Sequence, residues 1–281
     1  PTAGQLPRLL GLAYASKLFR QNSDLHGFTT LSVKGNEVAF GSIGDASTSE
    51  GHFWETMNAA GVLQVPMAIS VYDDGYGISV PKKYQTTKGS ISDILKGFES
   101  EPDRPGIRIF KGKGWDYPGL IKLYEEGIEI CRKEHVPVLF HIEEVTQPQG
   151  HSTSGSHERY KSEERLKWEE EFDPIRKMKE WIIDQKIASA EELDKIAAET
   201  EEEAKEARKK GWEMYQHPMK IERDALARII NSRSCKCHDE NKEASVDSVT
   251  SDLLKIASPI RKDNFMAARK ILRNVCETCN K

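Results

Sequence analysis

Two acidic turns contain the residue types best suited to chemistry in this sequence. One is the run Gly-Asp-Ala-Ser at residues 44–47, and the other is Asp-Asp-Gly-Tyr-Gly at residues 73–77. Each turn follows a short apolar stretch with the composition of a buried strand. In an open parallel sheet, ligands bind at the carboxyl ends of the strands. The sequence therefore predicts that the carboxylates of Asp45 and Asp74 converge at that edge.

These two carboxylates could hold one hard cation. Magnesium prefers about six oxygen ligands in a near-octahedral shell, and phosphates often supply several of them. Asp45 and Asp74 could supply side-chain oxygens, and Tyr76 a main-chain carbonyl. Gly44 and the small Ala46 would let the backbone approach a bulky anion, and amides of the helix predicted after this turn would face it. A single Gly-Asp turn usually only reverses the chain, so the prediction depends on both turns together.

Strands and helices alternate along the first part of the chain. Apolar spacing predicts a helix over residues 6–20, with Pro7 in its first turn. Two strand–helix–strand units follow, which favours an α/β fold with a mostly parallel sheet and helices on both faces. The predicted elements of these units are the strand 37–43, the helix 50–63, the strand 66–72, the strand 106–110, the helix 116–134 and the strand 137–145.

Composition divides the chain into four segments. Residues 1–172 contain the predicted α/β core, which ends with a long polar loop of the kind that often serves a ligand. Residues 173–233 are charged and helical, with side chains spaced for exposed i, i+4 pairs, and we interpret them as a helical C-terminal extension. Residues 234–262 contain few large apolar groups and are predicted to form a flexible linker. Residues 263–281 begin a further helical segment.

The composition argues against several classes of partner and location. The 41 Lys and Arg residues against 45 Asp and Glu give a net charge of −4, which offers no reason to expect nucleic acid or a membrane surface as partner. No apolar run approaches the roughly 20 residues of a membrane span, and no signal peptide is visible in the sequence given. Four of the five cysteines fall within residues 235–281, unlike a secreted disulfide framework. We therefore expect a cytoplasmic protein.

The cysteines near the end of the sequence allow two interpretations. Cys235, Cys237, Cys276 and Cys279 could together form a zinc site. The spacing of the first pair is atypical for zinc, and the segment between the pairs is long. We therefore favour free thiols.

Residues 44–58 resemble the thiamine diphosphate fingerprint of the α subunits of branched-chain 2-oxoacid dehydrogenases and pyruvate dehydrogenases. In that family a Gly-Asp-Gly turn opens the motif and an Asn-Asn pair closes it, and residues 73–79 occupy the closing position here. The resemblance extends from the first residue to about Pro218. Further matching segments are 4–7 (Gly-Gln-Leu-Pro), 105–108 (Pro-Gly-Ile-Arg) and 151–154 (His-Ser-Thr-Ser).

The resemblance implies roles for particular residues. Asp45, Asp74 and the main-chain carbonyl of Tyr76 match the magnesium ligands of the family. His151 matches a histidine beside the thiazolium ring and the 2-oxo acid, where a hydrogen-bond donor would stabilise developing negative charge. Ser152 lies next to it, in a loop that animal relatives regulate by phosphorylation. The residues implied to bind the cofactor are Thr2, Gly44, Asp45, Ala46, Ser47, Asp74, Tyr76 and Ser152.

The resemblance also implies an activity and partners. Members of the family bind thiamine diphosphate and Mg²⁺, decarboxylate a 2-oxo acid oxidatively, and pass the acyl unit to a lipoyl group on an acyltransferase component. The glutamate that activates the cofactor belongs to a β subunit, and residues 265–272 loosely resemble the opening helix of such a subunit. We therefore expect a β subunit or fused β domain as partner, a homo- or hetero-oligomer such as a heterotetramer, and no catalysis by this chain alone.

Two departures from the family pattern make the predicted phosphate site more negative. The closing Asn-Asn pair is Asp73-Asp74, and the preceding position, often an Arg that pairs with the diphosphate, is Tyr72. Like charges about 4 Å apart repel by roughly 1 kcal/mol in water and roughly 4 kcal/mol at an effective dielectric of 20. The sequence is compatible with two alternatives, a functional cofactor site and a catalytically silent assembly module. A transketolase-like or acetoin-cleaving thiamine enzyme is a further alternative, against which His151 and residues 4–7 argue.

Overall fold

The computed structural model describes residues 2–151, 156–232 and 240–275. The chain forms two compact units, Pro1–Ser189 and Ala190–Lys281. Ser152 and the cysteines near the end of the sequence lie outside the described residues. The helices and strands of the first unit are α1 (Leu6–Gln21), β1 (Ala39–Gly44), α2 (Gly51–Leu63), β2 (Met67–Tyr72), β3 (Tyr76–Gly77), β4 (Val80–Pro81), α3 (Ile91–Ile94), β5 (Arg108–Lys113), α4 (Tyr117–Glu134), β6 (Val138–Glu143), α5 (Glu163–Glu171) and α6 (Pro174–Asp184).

Four parallel strands form the main sheet, in the order β1, β2, β6, β5. Gly44 at the end of β1 is opposite Tyr72 of β2, and Tyr72 is opposite Ile142 of β6, so the carboxyl ends of these strands are level. The ladder continues one residue further, because the Asp45 amide donates to the Tyr72 carbonyl and the Asp73 amide to the Ile142 carbonyl. Asp45 and Asp73 therefore leave the sheet side by side.

Alternating side chains of the strands divide the core between the two faces of the sheet. Met67, Ile69 and Val71 of β2 belong to a buried cluster that includes residues of α1 and α2. Ala68 of β2 and Phe140 of β6 face the opposite way and pack with α4. Buried central strands of a parallel sheet are apolar on both faces for this reason. The predicted α/β fold, with helices on both faces and a helical C-terminal part, is confirmed.

The sequence of α4 explains its position against the sheet. The Asp116 side chain accepts a hydrogen bond from the amide of the third helical residue at 3.0 Å, which caps the first turn. Gly127 lies where the helix meets the sheet, and a Cβ atom there would be 2.5 Å from the Phe140 ring. Glycine therefore lets α4 approach β6 more closely than any other residue would.

Within the described residues, the second unit contains three helices, α7 (Ala190–Asn231), α8 (Glu240–Lys255) and α9 (Arg261–Asn274). Ile230, Val246 and Ile271, one from each helix, form its buried cluster. The predicted flexible linker over residues 234–262 is therefore wrong for the α8 segment. Val246, Thr250 and Leu253 recur at helical spacing and are all buried, so α8 has the apolar face that a linker lacks. Among the described residues, no helix has the length and apolar character to cross a membrane.

Candidate active site at the carboxyl edge of the sheet

A cavity of about 580 Å³ lies at the carboxyl ends of β1 and β2. Its walls come from the turns after these strands, from the β3–β4 hairpin, and from the segment after β6. Every predicted site residue within the described part of the chain lines this cavity. The lining residues are Thr2, Gly44, Asp45, Ala46, Ser47, Glu50, Tyr72, Asp74, Tyr76, Gly77, Ile78, Gln85, Val145, Thr146, Gln147 and His151.

Asp45 is a buried carboxylate with an unused oxygen. Its side chain is 5% exposed, and its Oδ2 atom finds no hydrogen-bond partner among the described residues. Burial, reinforced by the nearby charges of Asp73 and Asp74, raises the pKa of Asp45 to about 7. An unpaired buried carboxylate oxygen is costly, and a bound cation would remove that cost.

Asp73 is equally buried, but both of its oxygens have partners. Its Oδ1 accepts the Gly75 amide at 2.9 Å, and its Oδ2 lies 2.7 Å from Lys82 Nζ and 3.0 Å from His141 Nε2. Burial raises the pKa of Asp73, but hydrogen bonds from His141 and Lys82 outweigh burial and hold the pKa below its usual range. The added negative charge that the sequence places at this position is therefore offset inside the protein.

Asp74 and Tyr76 are presented by a short hairpin. The Asp74 Oδ1 atom accepts the Tyr76 amide at 3.1 Å, and the Lys82 amide donates to the Gly75 carbonyl at 2.9 Å, which joins the chain at the open end of the β3–β4 hairpin. Gly75 adopts a φ of +83°, a conformation that favours glycine. Burial raises the pKa of Asp74, while the Tyr76 amide and the Lys161 charge lower it in part. This turn places an acidic side chain and the backbone of Tyr76 on the same cavity.

The charge of the cavity wall is negative. Asp45, Glu50 and Asp74 line it, and the described lining residues include no Lys or Arg. Tyr72, at the position where the resembled family often has Arg, is 43% exposed on the wall. A Cβ atom built on Gly44 would meet nothing within 4 Å, so the floor of the cavity is open at the turn after β1. Carboxylates around an open space fit a hard divalent cation, and an anionic ligand would need that cation to enter.

Residues 1–220 match the family described as Dehydrogenase E1 component. The chain belongs to the dehydrogenase E1 component family. The match covers both acidic turns and the strands before them, and it confirms the family expected from residues 44–58. The C-terminal helices α8 and α9 lie beyond the matched residues.

Relatives of the chain within this family are named as α subunits of 2-oxoacid dehydrogenases. The 2-oxoisovalerate dehydrogenase subunit alpha 1, mitochondrial, of Arabidopsis thaliana is 27% identical over 82% of this chain and 43% of its own length. The pyruvate dehydrogenase E1 component subunit alpha of Rickettsia bellii is 23% identical over 72% of this chain and 55% of its own length. The 3-methyl-2-oxobutanoate dehydrogenase subunit alpha of Mycobacterium tuberculosis is 32% identical over 57% of this chain and 41% of its own length. The chain thus spans between 41% and 55% of the length of these three E1 subunits.

Two predicted site residues lie at the cavity rim. Thr2 and His151 are both exposed, at opposite ends of the stretch of chain that forms the cavity. Ser152, the next residue after His151, lies outside the described residues. The structure therefore brings Thr2 and His151 to the same cavity as Asp45.

Several residues that support the cavity walls were not predicted. His141 is fully buried in β6 and contacts Ser92 Oγ at 2.8 Å as well as Asp73, and Lys82 reaches Asp73 from beyond β4. A histidine within the apolar run 138–142 was a signal of a buried polar partner, because such a side chain needs one. Arg165 and Glu169, spaced i, i+4 on α5, had the pattern of an ordinary solvated helix.

Proposed function

We propose that the chain is the thiamine diphosphate- and magnesium-binding subunit of a 2-oxoacid dehydrogenase. The observation that supports this most is that Asp45 lines the cavity, while its buried Oδ2 atom has no hydrogen-bond partner among the described residues. Membership of the dehydrogenase E1 component family gives the class of cofactor that the cavity would accept. Asp45, Asp74 and the Tyr76 carbonyl would bind Mg²⁺, in the roles that the resemblance implies.

The backbone of the turn after β1 would contact the diphosphate. Gly44, Ala46 and Ser47 border the cavity and have small or absent side chains, so an anion can approach their main chain. Since the lining contains three carboxylates and no described Lys or Arg, the protein alone repels a diphosphate. Mg²⁺ is therefore required for the diphosphate to bind at all.

The rim residues would orient the substrate and the organic part of the cofactor. Thiamine diphosphate supplies the carbanion chemistry when it is bound. His151 would hold a proton toward the carbonyl oxygen of the 2-oxo acid, where negative charge develops, and Ser152 is the next residue in the sequence. The main chain at Thr2 would contact the aminopyrimidine.

Catalysis by the whole enzyme would require further chains or domains. The chain spans about half the length of its relatives or less, and they are named as α subunits or subunit alpha of E1 components. We infer a β subunit or a fused β domain as partner, and a lipoyl-bearing acyltransferase component as acceptor of the acyl unit.

Calorimetric titration with thiamine diphosphate, with and without Mg²⁺, tests this proposal. We expect binding only with Mg²⁺, and loss of that binding in Asp45→Asn. Asp116→Asn is a matched control, because Asp116 also follows a strand of the sheet but caps α4 and does not line the cavity. Asn is as good a helix cap as Asp, so this variant should fold and bind like the native chain.

A catalytically silent assembly module is the second candidate. Tyr72 on the cavity wall and the absence of described Lys or Arg from the lining favour it. Such a module would bind no thiamine diphosphate at any accessible Mg²⁺ concentration. Binding that Asp45→Asn leaves unchanged would contradict the proposed site for a different reason, since the cofactor would then lie elsewhere.

A further inference from the structure

Lys161, Arg165 and Glu169 form an ion cluster in which Lys161 and Glu169 are buried and Arg165 is partly exposed. Glu169 Oε1 is 2.8 Å from Arg165 Nε, and Glu169 Oε2 is 2.7 Å from Lys161 Nζ. The Glu169 and Lys161 side chains are 2% and 1% exposed. None of the three residues lines the cavity. We call this group the Glu169 cluster.

The Glu169 cluster contacts the turn that presents the proposed metal ligands. Arg165 Nη2 donates to the main-chain carbonyl of Asp74 at 2.9 Å. The guanidinium carbon of Arg165 lies 5.8 Å from the centre of the Tyr76 ring, and Lys161 Nζ lies 5.6 Å from it. Arg165 therefore contacts Asp74 directly, and both cations lie over the ring of Tyr76.

The same cluster contacts the opposite wall, which is the segment after β6. Lys161 Nζ donates to the Gln147 carbonyl at 3.1 Å, and Arg165 Nη2 lies 3.5 Å from the Val145 carbonyl. Val145 and Gln147 both line the cavity. Gln147 lies four residues before His151 in the sequence. Glu169 is thus connected to the Asp74 carbonyl through Arg165 and to the Gln147 carbonyl through Lys161.

We propose that Glu169 is a positioning residue, which through Arg165 and Lys161 fixes the two walls of the cavity relative to each other. Charge-assisted hydrogen bonds are stronger than neutral ones and are directional, and burial protects them from competition by water. Without Glu169 the two cations would have no shared anchor, and the hydrogen bond from the Val145 amide to the Asp73 carbonyl would remain as the direct link between the walls. The consequence for metal binding rests on the function proposed above, whereas the consequence for the walls does not.

Hydrogen exchange of the ligand-free chain tests the positioning directly. In the wall after β2, the Gly75 amide donates to Asp73 Oδ1 and the Tyr76 amide donates to Asp74 Oδ1. In the wall after β6, the Val145 amide donates to the Asp73 carbonyl. In Glu169→Gln we expect these amides to exchange about tenfold faster, while amides of α1 and β2 keep their native rates. Unchanged exchange in the walls, or equal acceleration throughout the unit, would overturn the proposal.

Glu180→Gln is the matched control. Glu180 also connects an arginine and a lysine, at 3.0 Å from Arg176 and 2.9 Å from Lys177, but this triplet lies on the surface of α6. The same substitution there should leave exchange in both walls at the native rate. If Glu169→Gln does not fold, Arg165→Lys is measured instead, because it keeps the charge but is too short to reach both Glu169 and the Asp74 carbonyl.

A magnesium titration at saturating thiamine diphosphate tests the consequence for binding. We expect Arg165→Lys to weaken Mg²⁺ binding by about tenfold, as loss of partners outside the ligand shell commonly does. In an Asp74→Ala background the same change should cost less than in the native background, because the turn that Arg165 holds then presents only the Tyr76 carbonyl to the metal. Equal losses in both backgrounds would overturn the role of Arg165 in positioning Asp74. If the native chain binds no cofactor, the proposed function fails, and hydrogen exchange alone decides the proposal for Glu169.

Discussion

Asp45 and Asp73 are both buried carboxylates at the ends of neighbouring parallel strands, yet they differ in the hydrogen bonding of their side-chain oxygens. Asp73 has a partner for each oxygen, supplied by Gly75, Lys82 and His141. Asp45 has an oxygen without any partner among the described residues. The pKa of Asp73 is accordingly lowered, whereas the pKa of Asp45 is raised to about 7.

The difference distinguishes a carboxylate that stabilises the fold from a carboxylate that is available to bind a ligand. A fully partnered buried carboxylate contributes to the fold, and it is strongly coupled to the residues that hold it. A buried carboxylate with a free oxygen weakens the fold until a ligand uses that oxygen. Opposite effects on stability are therefore expected when the two carboxylates are removed.

Removal of Asp73 should have the largest effect. Asp73→Ala leaves His141 buried and Lys82 without its partner. We expect the free energy of unfolding to fall by about 3 kcal/mol. This value is at the lower end of the range for a broken buried ion pair, because Lys82 is 34% exposed. Urea denaturation measures this loss. Asp103→Ala, in an exposed loop, should change stability by less than about 0.5 kcal/mol. A loss in Asp73→Ala as small as that of the control would contradict the structural role.

Neutralising Asp45 should stabilise the ligand-free protein. Because the folded-state pKa of Asp45 is raised from 3.8 to about 7, the ionised group costs stability progressively as pH rises through that window, and the cost is complete above pH 7. We expect Asp45→Asn to gain about 2 kcal/mol at pH 8, less than the roughly 4 kcal/mol of the full shift because the amide remains unpaired.

The gain in Asp45→Asn should disappear at about pH 4, where the native carboxyl group is protonated in the folded state. Urea denaturation at the two pH values, with a chelator present, measures the difference. Asp116→Asn should show no such dependence, since its helix cap works in either form. A variant that is less stable than the native chain at pH 8 would contradict the comparison of the two carboxylates.

Magnesium binding should follow the protonation of Asp45. The metal requires the carboxylate form, so below pH 7 each bound ion must displace a proton. We expect apparent Mg²⁺ affinity to rise about tenfold between pH 6 and pH 8 and to level off above that. Calorimetry at both pH values in two buffers of different ionisation enthalpy would count the protons released. A flat affinity over this range would show that Asp45 is not the group that the metal contacts.

The comparison also shows what sequence alone could predict. The apolar runs before residues 44 and 73, and the helix between them, follow from local composition, and they were enough to place Asp45 and Asp74 at one edge of the sheet. The partners of Asp73 were not predictable. His141 lies 68 residues further along the chain, and only the order of the strands brings it beside Asp73.

The Glu169 cluster and helix α8 were missed for different reasons. Arg165 contacts a carbonyl 91 residues away, and nothing in the charged run around it indicates that Glu169 is buried. In α8 the apolar positions Val246 and Leu253 are few, and the many polar residues around them favoured a linker. Burial of a charge requires tertiary information, whereas the α8 error came from giving composition more weight than spacing.

Tyr72 offers the smallest but most specific change. Asp73 is already paired with Lys82 inside the protein, whereas Tyr72 lines the cavity without a positive charge where the resembled family often has Arg. Tyr72→Arg should strengthen Mg²⁺-dependent binding of thiamine diphosphate by about fivefold, which corresponds to roughly 1 kcal/mol for a half-exposed charge near an anion.

Calorimetry at two ionic strengths measures this gain, which should shrink as salt screens the new charge. Tyr14→Arg is the matched control, because Tyr14 has a similar exposure of 41% but does not line the cavity. If Tyr72→Arg binds no better than Tyr14→Arg, the diphosphate does not lie beside residue 72. If both variants bind better by the same factor, the net charge of the chain rather than the cavity wall governs the affinity.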